Sequence, residues 1–223
     1  MRKSITRVAT RALMLLAIAT SAIAKDNKPT FGIPYDLISK PGDSTISIQA
    51  KGIEINASKG TDLYTSPDAS VAIDNTPRIA FTPKADFIFS AKVNAQFNAA
   101  FDGGALYVYA DGKNWAKFLF ERFQSGKNGV ASTVNRHSGD DAYHQTTAQN
   151  AMFLKVVRKA QTILFYLSED GDNWHYTRSF KLATSAPIEV GLMAQAPLSN
   201  AFNAVFTDIQ FSEKTMTDFW QGK

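Results

Sequence analysis

Apolar and polar side chains alternate in short runs along most of this chain. A period of two belongs to a strand with one buried face, because successive side chains of a strand point to opposite sides of its sheet. Ile46 and Ile48, then Ile53 and Ile55, alternate with polar neighbours on either side of Lys51-Gly52, which predicts a hairpin. Phe87, Phe89, Ala91 and Val93 alternate with Ile88, Ser90, Lys92 and Asn94. Further strands are expected over 105–110, 115–123, 129–136, 152–158, 161–168, 188–194 and 204–211, and the polar stretch 138–149 reads as a loop. No long amphipathic helix is visible; Thr215–Trp220 is expected to form one helical turn or an aromatic-bearing tail packed on the sheets. Sixteen Phe and seven Tyr suit pleated surfaces, and thirteen Gly and eight Pro supply the turns between them. The expected class is all-β, with two packed antiparallel sheets.

The N-terminus follows another rule. Arg2, Lys3, Arg7 and Arg11 precede the apolar run Leu13 to Ala19, and Ala22-Ile23-Ala24 places small residues where a signal peptidase needs them. Residues 1–24 are therefore expected to be a cleaved secretory signal, too short in its apolar core to remain as a membrane anchor. The product would be a periplasmic or secreted protein, with a single domain over 25–213 and a short tail over 214–223. The signal holds four of the 24 basic residues and none of the 20 acidic ones, so the remainder carries 20 of each sign and a formal net charge of zero. That balance gives no support to nucleic-acid binding by phosphate neutralisation. The chain has no cysteine, which excludes disulfides, thiolate nucleophiles and thiolate-ligated metals.

Asp111-Gly112-Lys113-Asn114-Trp115 is echoed by Asp170-Gly171-Asp172-Asn173-Trp174, read as two similar hairpins rather than as calcium or sugar sites. Together with Gly60-Thr61-Asp62, Asn75-Thr76-Pro77, the strand 86–93, Gly103-Gly104-Ala105-Leu106-Tyr107-Val108, Glu121, Leu154-Lys155-Val156-Val157-Arg158 and Val190-Gly191-Leu192-Met193-Ala194, these motifs resemble the DUF1349 family, also described as YesU-like or regulation of enolase protein 1. The resemblance runs over about residues 31–211. It implies a concanavalin A-like jelly-roll β-sandwich and a link to carbohydrate metabolism, without implying a reaction, since one fold carries many functions.

The chemistry is sparse. A sandwich hydrolase needs two carboxylates flanking a sugar site, and Glu121 is the one acid embedded in a strong strand pattern. No Glu-x-Asp-x-x-Glu strand signature accompanies it, and an ion pair of Glu121 with Lys117 or Arg136 is expected instead. His137, His144 and His175 are not spaced to close a zinc site. Asp140 and Asp141 leave a structural calcium open as the one ion to consider, and no cofactor is otherwise expected. Gly103-Gly104 reads as a bend or bulge rather than a phosphate cradle. The expected ligand surface is Tyr107, Tyr109, Trp115, Lys117, Glu121, Asn135 and Arg136, with Trp174 as a further aromatic, and the expected role is non-catalytic recognition of a glycan or small carbohydrate. Glycan hydrolysis or modification at Glu121, and a protein-interaction or oligomerisation surface, are the alternatives.

Overall fold

The computed structural model describes residues 31–223, so the expected signal over 1–24 lies outside the described residues. Sixteen strands, numbered in chain order, make two seven-stranded sheets and one small hairpin. The first sheet runs, in spatial order, β1 (Leu37–Ser39), β6 (Arg78–Phe81), β15 (Glu189–Gln195), β8 (Gly103–Asp111), β9 (Asn114–Arg122), β10 (Asn128–Arg136) and β11 (Gly139–Thr147). The second runs β14 (His175–Phe180), β13 (Thr162–Ser168), β12 (Ala151–Lys159), β7 (Phe87–Ala95), β16 (Ala201–Ser212), β3 (Gly52–Ser58) and β2 (Thr45–Gln49). β4 (Leu63–Thr65) and β5 (Ala72–Asp74) pair only with each other. Every pairing is antiparallel, in agreement with the expected class.

Alternation places one face of each sheet against the other. From β9, Ala116, Phe118 and Phe120 enter the main core, where they meet the Phe87, Phe89, Ala91 and Val93 face of β7. Phe118 stacks on Phe165 of β13, with ring centroids 4.7 Å apart, and Phe81 of β6 meets Phe211 of β16 edge to face at 4.7 Å, so aromatic pairs span the two sheets. Gly104 faces the second sheet at close range. A Cβ there would lie 2.7 Å from Val93 Cγ1 and 2.9 Å from Ala204 Cβ. The register shift between β8 and β9 falls between Tyr109 and Asp111, so Gly103-Gly104 is regular strand kept small for sheet packing, not the expected bulge.

The stretch 138–149, expected to be a loop, holds β11. It is an edge strand, paired on one side only, and neither of its faces is covered by a continuous apolar layer, so it shows no hydrophobic alternation. Arg178 on β14 reaches across this open side to Asp140 at 2.6 Å and to Ser132 Oγ at 3.0 Å, tying the edges of the two sheets together.

No helix occurs among the described residues, so the segment after β16 is a packed tail rather than a helical turn. Tyr166 donates to the Phe219 carbonyl at 2.7 Å, and Lys155 Nζ donates to the Gln221 carbonyl at 3.0 Å while lying 3.8 Å from the centre of the Trp174 ring. Trp174 is thus roofed by the tail and is not a free stacking surface. In the two echoed turns, Asp111 accepts from the Lys113 amide and Asp170 from the amides of Asp172 and Asn173, so both aspartates are spent on their own loops. Only the second of the two turns uses a positive φ at its glycine, Gly171.

Candidate functional site

β8 and β9 are buried on both faces, because a second apolar layer lies on the outer side of the first sheet. Leu63 of the β4–β5 hairpin packs there with Ala105, Tyr107, Trp115, Leu119 and Met193. The hairpin is held by the Thr61–Ala196 bridge and by the Gly139 amide, which donates to the Ser66 carbonyl at 3.3 Å. It covers one end of the outer face and leaves the other open.

At that open end is a cleft of about 370 Å³, toward the small end of the ~300–1,000 Å³ of small-molecule sites. Strand register sets its floor. Lys117 lies opposite Thr133, and Thr133 opposite Asp141; Leu119 lies opposite Ala131, and Ala131 opposite Tyr143; Glu121 lies between Gly103 and Gly129. All of these side chains share the outer face, and the two glycines leave Glu121 without a side chain beside it in its row. Asp62, Tyr64, Phe101 and Gln195 complete the walls. Polar groups sit deep in the cleft, and Tyr143, 63 % exposed, stands at its mouth.

The buried ammonium of Lys117 uses two of its three N–H donors on fixed acceptors. Its Nζ donates to Gln195 Oε1 at 2.8 Å and to Asp62 Oδ1 at 3.2 Å. Gln195 is fixed in turn by donating to the Phe101 carbonyl at 2.9 Å, and Asp141 accepts from the Thr133 hydroxyl. Glu121 has no hydrogen-bond or ion-pair partner among the described residues. Burial pushes its carboxyl up to about 7, with Asp62 and Asp141 acting in the same direction and Lys117 opposing them. The expected pairing of Glu121 with Lys117 or Arg136 is therefore absent. Lys117 is taken by Asp62 and Gln195, and Arg136 lies at the far end of β10, exposed and 3.7 Å from Asp140.

Of the seven expected ligand residues, Lys117 and Glu121 line the cleft. Tyr107, Trp115 and Asn135 are all buried beneath the hairpin layer, where no ligand could stack on them. Tyr109 is half-buried under Arg78, whose guanidinium lies 4.8 Å from its ring centre, and its hydroxyl donates to Asp74 at 2.8 Å. Asp62, Tyr64, Phe101, Tyr143 and Gln195 were not expected. Asp62 stands in a quoted motif and Gln195 follows another directly, but neither carries a local signal that it will meet Lys117. His144 is turned to the inner face and meets Ser132 Oγ at 2.8 Å, with burial lowering it to about 4. His137 lies in a turn and His175 is exposed at the start of β14. Among the described residues no group of three His, Asp or Glu side chains is placed to hold a metal ion.

A family model described as a protein of unknown function, DUF1349, matches residues 38–214. The chain belongs to that family. No curated protein matches the sequence. Among solved structures, this DUF1349 chain is similar to a functionally unknown protein from Saccharomyces cerevisiae, at 17% identity and a TM-score of 0.71 over 79% of this chain and 94% of that one. It is also similar to the GH43 BlXynB protein from Bacillus licheniformis (17% identity, TM-score 0.60, 78% of this chain) and to a xylan beta-1,4-xylosidase from Bacillus halodurans C-125 (12%, 0.60, 75%). The DUF1349 chain spans 36% and 34% of the lengths of those two proteins. At these identities the likeness is one of fold.

Proposed function

We propose that this DUF1349 protein is an exported module, periplasmic or secreted, whose two sheets close as a concanavalin A-like jelly roll and whose outer cleft binds a carbohydrate without turning it over. The observation that carries the reading is the composition of the cleft. Donors and acceptors from Lys117, Asp62, Thr133, Asp141, Gln195 and Glu121 share the cleft with the aromatic rings of Tyr64, Phe101 and Tyr143. Sugars need both, since their hydroxyls take directed hydrogen bonds and their C–H faces pack on rings. The occurrence of a similar fold as about a third of a xylan beta-1,4-xylosidase and of a GH43 protein adds support.

A hydrolytic reading is favoured by one observation. A carboxyl held near 7 is in the range in which a general acid works at neutral pH. Calorimetric titration with neutral and charged oligosaccharides, run beside a sensitive reducing-end assay, separates the readings. Binding without turnover is expected. Turnover abolished by Glu121→Gln in a folded protein would replace recognition by catalysis, and a folded protein that binds no glycan would defeat both.

A further inference from the structure

The charges of the cleft are unequal. Asp62, Glu121 and Asp141 line it against one cation, Lys117, and its walls hold no arginine or histidine. Lys117 is committed to Asp62 and Gln195, and Asp141 to Thr133. Glu121 remains, 5 % exposed, lining the cleft and bonded to nothing among the described residues. Its carboxyl oxygens are not among the fully enclosed unpartnered atoms, so they reach the cleft's solvent, where a donor brought by the ligand can take the place of water.

We propose that Glu121 anchors the ammonium group of an amino sugar, so that the cleft selects glycans with free amines over neutral, N-acylated and acidic ones. The inference rests on the glycan reading above and names its ligand class. An N–H donor carrying positive charge makes the stronger bond to a carboxylate, and it offsets the surplus negative charge that a neutral hydroxyl would leave in place. A uronate would instead bring a further carboxylate among three, and like charges brought together in a partly desolvated site disfavour the wrong ligand. The rings of Tyr64, Phe101 and Tyr143 line the same cleft, and aromatic rings take sugar C–H groups and an ammonium alike. A lysine side chain carries the same ammonium, but a walled cleft with a recessed polar floor suits a compact ring better than an extended peptide.

The groups that face Glu121 are Lys117 on its own strand, Asp62 from the segment before β4, and Asp141 and Tyr143 from β11. Because burial holds the Glu121 proton up to about 7, amine binding strengthens as pH rises toward neutrality and the carboxylate is freed.

Calorimetry on the purified protein in physiological salt tests the proposal with five probes: a glucosamine hexasaccharide, its fully N-acetylated counterpart, xylohexaose, an oligogalacturonate and trilysine. The glucosamine oligomer is expected to bind roughly ten- to a hundredfold more tightly than its acetylated counterpart near neutral pH. That gap should narrow at about pH 5.5, and it should collapse in a folded Glu121→Gln variant. Equal affinity for the two hexasaccharides, tighter binding of xylohexaose, or a preference for oligogalacturonate would overturn the amine inference while leaving glycan recognition standing. Trilysine bound as tightly as the glucosamine oligomer would make this a peptide site, and no binding of any sugar would remove the glycan reading itself.

Discussion

Replacing Glu121 by glutamine should make the protein more stable, and increasingly so as the pH rises. The carboxyl has an ordinary value of 4.5 and stands at about 7 in the folded chain, with burial as the leading cause. At about 1.4 kcal/mol per tenfold change in proton affinity, that gap corresponds to roughly 3 kcal/mol. Below the ordinary value the group is protonated in folded and unfolded chains alike, and the favourable burial of the neutral acid is fully present. As pH climbs through about 7 the unfolded chain has already released the proton, and the folded one must hold a desolvated charge, so that stability is lost. Glutamine keeps the shape, has no charge to desolvate, and lacks this slope. Urea unfolding of parent and variant from about pH 4 to about pH 8 should show their difference growing by about 3 kcal/mol in favour of the variant. Parallel stability curves would mean that the carboxyl is not perturbed. A parent more stable than the variant at the alkaline end would mean that the carboxylate has a partner in solution. Either result would remove the physical basis for treating Glu121 as an open acceptor.

Gly104→Ala should cost about 1–3 kcal/mol, because the new methyl would press on Val93 and Ala204 between the sheets; a thermal midpoint unchanged from the parent would show that the sheets have slack there. Tyr166→Phe removes the bond to the Phe219 carbonyl, worth about 0.5–1.5 kcal/mol, and should speed proteolytic trimming after Ser212 while leaving glycan binding intact. An unchanged cleavage rate would mean that Lys155 and Trp174 hold the tail without it.

Strands with one apolar face announce themselves in the sequence, and β7, β9, β12 and β16 fall where period two places them. β11 does not, because an edge strand flanked by a cleft has no apolar row to display. The same limit explains the site. Alternation correctly puts Trp115, Lys117 and Glu121 on one side of β9, but it does not reveal that the β4–β5 hairpin seals the Trp115 end and leaves the Glu121 end open. Both faces of that strand are buried, so the apolar pattern alone gives no clue to which outer residues meet solvent. Asp62 and Gln195 were invisible as site residues for a different reason, since nothing local ties them to Lys117.

Those two contacts span 55 and 78 residues of chain. β8 and β9 can form as a local hairpin, but the polar cradle around Lys117 cannot exist until the segment before β4 and the end of β15 have both closed onto that hairpin. Loop-closure entropy must be met before such distant pairings return any stabilisation, which places assembly of the cleft among the late events of a slow, non-local folding reaction. Newly made or partly denatured chains would then show β-structure before they show affinity, so ligand binding would count completely folded molecules where a far-ultraviolet spectrum would not.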